Sequence, residues 1–537
     1  MVLVLLSGVS WAQGEAPAPP AGPGVPSGPA PELGGELKIS RDQAILLALE
    51  NNLDLIIART GPQLAAQDLE RARGAYDPRL FMDHRFDQRE NPTFSTIQDF
   101  FGGPGATISQ IAEKEWNYGA GFSGVLAAGI TYSSSYSLQR LETSSAFSSL
   151  NPEWRANWGS ELRIPLMKDL FSNQASITVE RSGIGLDISI EDFREDLMDE
   201  IRDVEIAYWE LGAARADERV AQKSLETARD LLEQTRIRYE VGVVSKVLVT
   251  QAEAGVAERE VNAIVALNRA DGAEDALLNL IAVPTMGEYA TTELVTDDPS
   301  FVDYSIDPIV ANERAMRLRP EVRTARKRVE DAEAQLRLAT NQLLPSLDLV
   351  ASYRLSGLSG EPTPNPFTKL VPAPAFPTNS WGADDDFLGS SQNRNWALGA
   401  RFELPLGNDT ARADRARRRI ELRRAQVSLR RTEQDIILDV RNAARVLRNS
   451  ADSVGAAERR RVATEETLRA EQERLRLGDS TPFLVLEFEE DLAEAQSQVI
   501  ASLQAYRNSI TALERSQGTL LETRRISLVR EMGRTAR

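Results

Sequence analysis

The sequence predicts a mainly α-helical protein with β-strands of transmembrane length, built as two copies of one long helical hairpin. Three observations lead there. The stretch from Asn408 to about Glu522 is one helical run, broken once at Leu477-Gly478-Asp479-Ser480-Thr481. Its apolar positions Ile436, Val440, Ala443, Leu447, Ala451 and Val454 are spaced by threes and fours, as in a coiled-coil seam. Around 79–166 and 345–405 the apolar period drops to two, the signature of half-buried strands. Landmarks then recur at fixed offsets, which marks an internal duplication.

The run 408–477 holds no Pro and only one Gly, Gly455. About 70 helical residues at about 1.5 Å each make a rod on the order of 100 Å. Before it, Ser40 and Gln43 form a capping box ahead of a short helix 41–51. A second helix covers about 54–75 and ends at Tyr76-Asp77-Pro78. Alternating segments follow, containing Leu80–Phe86, Asn117–Ser123, Ile130–Gln139 and Trp158–Ile164. The helical period returns at Ser172, with Ile190, Phe193, Leu197, Ile201, Val204, Tyr208 and Leu211 on the seam, and breaks at Val241–Ser245. A helix 246–282, a loop 285–308, a short helix 307–318 and a helix 320–343 come next. Strand period reappears over Ser346–Leu355 and Asn395–Leu404, on either side of a loop 357–393.

The duplication supplies the domain plan. Asn52-Leu53-Asp54 and Arg319-Pro320-Glu321 lie 267 positions apart, as do Pro78 and Pro345. Gly242 and Gly478 lie 236 apart, each at a rod break. The first repeat is 37–283, the second 320–525, with a linking equatorial segment at 284–319 and a basic tail at 526–537. Residues 1–12 read as an export signal without the usual basic start, because small residues at Ser10 and Ala12 suit cleavage after Ala12. Residues 13–36, rich in Pro, Ala and Gly, read as a flexible linker.

Composition narrows the function. A net charge of −18 over 537 residues disfavours nucleic-acid binding. The absence of Cys and the single His84 exclude thiolate sites, multi-His metal sites and His-based triads. There is no phosphate loop and no carboxylate pair in a plausible pocket, so neither enzyme, cofactor nor metal is expected.

The strands carry the membrane argument. Segments of about ten residues suit tilted transmembrane strands. One face of each is apolar and aromatic. In the second half it comprises Leu347, Leu349, Tyr353, Leu355, Trp396, Leu398, Phe402 and Leu404, which are expected to face lipid. Two strands cannot close on themselves, and an unclosed sheet in lipid leaves backbone groups unpaired at several kcal/mol each. The chain must therefore oligomerise. The alternative is an exported structural coiled-coil protein without a pore.

At this point the chain resembles the TolC family of outer-membrane efflux and secretion channels. The resemblance rests on Ile39–Arg59, Ala207-Tyr208-Trp209-Glu210-Leu211, Arg319-Pro320-Glu321 followed by Leu344-Pro345-Ser346-Leu347, the strand-end pairs Pro165-Leu166 and Pro405-Leu406, and the duplicated Gly breaks. It implies a homotrimer with a 12-stranded outer-membrane β-barrel, four wall strands per chain, continuous with a periplasmic α-barrel of 12 helices. It implies passive conduction of drugs or secreted polypeptide, driven by an inner-membrane pump or exporter through a periplasmic adaptor.

The resemblance also assigns roles. Val241-Gly242-Val243 and Leu477-Gly478-Asp479 would be adaptor-contact tips, the second departing from the Val-Gly pattern at its first position. Pore-constriction candidates are Glu487 and Gln251, nine residues beyond each tip Gly, and Leu248 and Leu484, six beyond. A ring of Glu487 carboxylates would attract cations. Glu489 and Glu490 are neighbours that could face the pore instead.

Three features fall outside this plan. Arg412, Arg415, Arg417, Arg418, Arg419, Arg423, Arg424, Arg430 and Arg431 crowd the start of the second rod, expected to pair with acidic residues or to hold lipid headgroups. Asp384-Asp385-Asp386 is expected in a solvated loop, and His84 near the barrel rim. Whether the segments at 117–125 and 129–139 join the wall or form a hairpin above the membrane stays open.

Overall fold

A computed structural model describes residues 36–93, 109–145, 148–281, 293–363, 379–389 and 393–527. The expected export signal, nearly all of the linker and most of the basic tail lie outside these residues. The chain divides into two compact units, one of residues 1–63, 188–326 and 428–537, the other of residues 64–187 and 327–427.

The first unit is helical. It holds α1 (Arg41–Asn51), the latter part of α3 (Gln174–Glu240), α4 (Lys246–Ile281), α5 (Pro308–Leu318), the latter part of α8 (Asp409–Leu477), α9 (Pro482–Gln517) and α10 (Leu520–Thr523). The seam read from the sequence is its core. Phe193, Leu197, Ile201, Val204, Tyr208 and Leu211 of α3 pack with Ala44, Ile45, Ala48 and Leu49 of α1 and with Leu277 and Ile281 of α4. Ile436 and Val440 of α8 pack on Ala311 and Ala315 of α5. Ala444, Leu447 and Val454 pack on Tyr506, Ile510 and Leu513 of α9. The capping box at Ser40 and Gln43 is formed on both sides.

The loop expected at 285–308 carries a strand instead. β6 (Glu293–Val295) pairs in parallel with β1 (Glu36–Lys38). Three residues show no periodicity, and their pairing partner lies more than 250 positions away, so the sequence pattern could not reveal it.

Two helix pairs repeat with identical bounds. α1 and α5 begin at Arg41 and Pro308 and end at Asn51 and Leu318, an offset of 267. α4 and α9 begin at Lys246 and Pro482 and end at Ile281 and Gln517, an offset of 236. α2 (Leu53–Arg73) corresponds to α6 (Pro320–Asn341), offset by 267 at the start and 268 at the end.

The second unit is a six-stranded sheet with the flanking parts of α2, α3, α6 and α8. Its strands are β2 (Arg79–Thr93), β3 (Ser109–Val125), β4 (Thr131–Thr143), β5 (Leu150–Pro165), β7 (Ser346–Pro362) and β8 (Arg394–Glu403). Their order is β2-β3-β4-β5-β7-β8, every neighbour antiparallel. The sheet thus has six strands where the resemblance implied four wall strands, β3 and β4 being the additional pair. By the repeat, β2 (from Arg79) corresponds to β7 (from Ser346), and β5 to β8. In the second repeat β7 and β8 pair directly; in the first, β3 and β4 are inserted between β2 and β5.

The loop expected at 357–393 is shorter than predicted. β7 continues to Pro362, and α7 (Ser380–Gly389) forms within it. α7 rests on the sheet, where Ala383 and Ala156 bury each other beside Tyr136, Leu138, Trp154, Trp158 and Leu355. Asp384 accepts from the Tyr136 hydroxyl at 2.5 Å, and Asp386 accepts from Leu358 N–H and Asn393. Two of the three aspartates are thus structural acceptors on a helix, not members of a solvated loop.

Candidate functional site

Two regions carry the candidate residues: the turns that break the long helices, and the apolar face of the sheet.

At the first turn, α3 ends at Glu240. Gly242 N–H donates to Tyr239 O at 2.9 Å and Val243 N–H to Arg238 O at 2.8 Å. At the second, Gly478 N–H donates to Leu475 O at 3.2 Å and Asp479 N–H to Arg474 O at 2.9 Å. Both turns form the same Schellman cap, with Gly in the left-handed position at φ +78° and +86°. Any side chain there is strained, which is why glycine breaks both rods. Neither glycine has a neighbouring atom where a Cβ would sit.

The turns expose apolar side chains that have nothing to bury against. Val241 is 68% exposed, Val243 72% and Leu477 76%, with Val247 and Phe483 also on the surface. The second turn is held by polar contacts as well. Ser480 donates to Glu471, Arg474 pairs with Glu471 at 2.9 Å, and Thr481 caps α9 at Leu484 N–H.

Below the turns, α4 and α9 pack together. Leu486 fills the place that a side chain at 255 would take, since a Cβ on Gly255 would lie 2.9 Å from its Cδ1. Arg259 is buried there. It donates to Gly255 O at 3.1 Å and to Leu486 O at 2.6 Å, and lies 3.8 Å from Glu490. Arg259 was not legible as a site residue. The signal that could have found it is Gly255 inside a long helix, one turn before an Arg.

Glu487 follows Leu486 directly. It is exposed and makes no hydrogen bond or ion pair among the described residues. Its neighbours differ: Glu489 accepts from Gln472 at 3.0 Å and burial raises its pKa, while Glu490 faces Arg259. Gln251 is exposed, Leu484 is 37% exposed and Leu248 is half-buried.

On the sheet, side chains of paired residues share a face. The register Met82–Ala120–Tyr136–Trp158–Leu355 crosses five strands on the apolar face. The adjacent register Asp83–Gly119–Ser137–Asn157–Ser356 crosses the same strands on the polar face. Leu347, Leu349, Tyr353, Leu355, Trp396, Leu398 and Phe402 all lie on the apolar face. Leu404 lies one residue beyond β8 and is exposed. His84 is the sixth residue of β2, away from either strand end, and stacks on Tyr118 with ring centroids 4.5 Å apart. It lies two residues from Phe86, and β2 runs on to Thr93, past the point where its alternation fades.

The arginine-rich start of α8 is partly paired. Arg417 and Arg418 share Glu421 at 3.0 and 2.9 Å, Arg412 meets Asp409 at 3.7 Å, and Arg431 meets Asp435 at 3.7 Å. Among the described residues no cluster of His, Cys, Asp or Glu could hold a metal ion, and no helix is long and apolar enough to cross a membrane.

With this geometry in place, comparison with known proteins is specific. Residues 129–283 and 312–519 match the family described as outer membrane efflux protein. No curated protein matches the sequence. Among solved structures, the outer-membrane channel OprN is 17% identical with a TM-score of 0.62, covering 89% of both chains. The Campylobacter jejuni CmeC outer membrane channel is 16% identical with a TM-score of 0.61, covering 89% of this chain and 85% of that one. The outer membrane protein VceC of Vibrio cholerae is 17% identical with a TM-score of 0.60, covering 89% and 96%. At these identities the likeness shows the fold.

Proposed function

Because the chain belongs to the outer membrane efflux protein family, and so is an outer-membrane channel protein, we propose that three copies close into one passive exit duct for efflux. Cargo enters from an inner-membrane pump or exporter through a periplasmic adaptor. The duct itself supplies no energy.

The observation that carries this reading is the sheet's two open edges. Among the described residues β2 pairs only with β3, and β8 only with β7. Each strand's other edge leaves backbone groups without partners, which lipid does not tolerate. β2 and β8 run in opposite directions, so β8 of one copy can pair antiparallel with β2 of the next. That head-to-tail contact closes into a ring. The apolar face then meets lipid, and the polar face lines the lumen.

The two turns are the adaptor-contact ends. Apolar residues at Val241, Val243 and Leu477 stand exposed without an internal role, as a docking surface requires. The constriction is formed by Glu487 with Gln251, Leu248 and Leu484. Glu487 is the unpaired member of its acidic group, so three copies would set three free carboxylates around one axis.

Outer-membrane fractions should contain trimers that dissociate on heating, and the purified trimer should conduct ions in planar bilayers. A protein confined to the soluble periplasm, or a detergent-free monomer, would defeat the proposal.

A further inference from the structure

We infer that the inserted hairpin β3–β4 is part of the membrane wall, with its aromatic face against lipid acyl chains, so that three copies build an 18-stranded barrel. The number eighteen rests on the trimer proposed above. The membrane placement of the hairpin does not depend on copy number.

Continuity is the first argument. β3 pairs with β2 without a break from Arg79↔Ser123 to Thr93↔Ser109, and with β4 from Val125↔Thr131 to Glu113↔Thr143. β4 then pairs with β5 from Thr131↔Arg163 to Leu141↔Glu153. No bulge lifts the hairpin out of the sheet.

Facing is the second argument. Trp116, Tyr118, Ala120 and Phe122 of β3 lie on the same face as Trp158 and Leu355, while Asn117, Gly119, Gly121 and Ser123 lie with Asn157 and Ser356. The polarity of the wall thus runs through the insertion unchanged. A hairpin standing above the membrane would have no reason to keep it.

Height is the third. The register Phe86–Trp116–Arg140–Trp154 is an aromatic row, with the Arg140 guanidinium 4.4 Å from the Trp116 ring. Such a row belongs at a headgroup interface. On β5, Trp154 and Ile164 are ten positions apart, about 33 Å of strand, or about 25 Å of height at a tilt of about 40°. That matches the apolar band of an outer-membrane barrel. α7 lies over β5 and β7 on the apolar face and reaches Tyr136 and Leu138 of β4, and it leaves Tyr118 and Phe122 of β3 exposed.

Closure is the fourth. Six strands per copy is an even number, so the edges stay antiparallel around the ring. Barrel diameter grows about linearly with strand number, so 18 strands give a lumen about 1.5 times as wide as 12. The membrane section would then be wide enough to pass cargo that a narrower barrel would hold back.

The chain has no cysteine, so single labels can be placed cleanly. Y118C, F122C and Y132C report the apolar face of the hairpin, N117C and S133C its polar face, and L398C on β8 is the reference. Each variant carries an environment-sensitive fluorophore in vesicles of phosphatidylcholine, with and without bromine on the acyl chains. Loss of fluorescence at 118, 122 and 132 matching that at 398, with none at 117 and 133, is the expected result. Loss at 398 alone would place the hairpin outside the bilayer and overturn the inference while leaving the duct standing. No loss at any position would overturn both. Direct strand counting by cryo-electron microscopy of the trimer should give 18; a count of 12 would refute the inference.

Discussion

Arg515 grips Asp199 with two nitrogens, Nε donating at 2.7 Å and Nη2 at 3.1 Å. The contact joins α9, the last long helix of the second repeat, to α3 of the first. Nη1 of Arg515 also donates to Glu321 at 3.2 Å, and Glu195 lies 3.6 Å away. Arg319 extends the network to α8 by donating to Asp439 at 2.5 Å. Replacing Arg515 with Met should lower stability by about 1–3 kcal/mol. The smaller end reflects carboxylates that remain a third exposed, where solvent screens the repulsion. Thermal unfolding followed by helical circular dichroism reads it; an unchanged midpoint would mean the network adds nothing.

The same cluster makes stability depend on pH. Burial, then repulsion from Glu321, pushes the Glu195 carboxyl up to about 7, against attraction from Arg515. Asp199 and Arg319 also face it, with opposite effects. The folded state therefore holds a proton that the unfolded chain has lost by pH 5. Its contribution to stability is complete below the ordinary carboxylate range and disappears as pH rises through about 7. E195Q should flatten the fall in unfolding midpoint between pH 5 and 8 and raise the midpoint at pH 8.

Glu205 is fully buried and depends on Arg524, which also meets Glu514 at 2.9 Å. Thr511 donates to it at 2.6 Å. R524A strands two buried carboxylates and should cost about 3–5 kcal/mol. Truncation before residue 524 should have the same effect, with less protein reaching the outer membrane. The double variant R524A/E205Q should recover part of the loss.

At the tips, replacing Gly242 and Gly478 together with Leu forces positive φ on residues that resist it, at about 1–2 kcal/mol each. With open space around both glycines, trimers should still assemble. Efflux, read as drug resistance of the host, should fail because the docking turns change shape. Asn tolerates the left-handed region and should preserve more function than Leu. Full resistance in the Leu double variant would remove the turns from the docking surface.

E487A should shift the reversal potential in a salt gradient toward lower cation selectivity. R259A frees the Leu486 carbonyl and loosens α9 from α4. It should raise single-channel conductance without altering trimer yield. An identical reversal potential in E487A would place that carboxylate away from the constriction.

Much of this molecule was written locally. The seam Phe193, Leu197, Ile201, Val204, Tyr208 and Leu211 needed only helical spacing to be read, and it is the core of the first unit. The breaks at Gly242 and Gly478 needed only glycine's freedom, and both are Schellman caps. The duplication announced which elements correspond, and two of the helix pairs agree in their bounds to the residue. What alternation could not tell is which strand lies beside which. It assigns faces, not neighbours, so the place of β3 and β4 between β2 and β5 was decided only by the folded sheet. The same holds for β1 against β6, Arg259 on the Leu486 carbonyl and Arg515 on Asp199. Each joins residues over two hundred positions apart, where only three-dimensional packing chooses the partner of a hydrogen-bonding group.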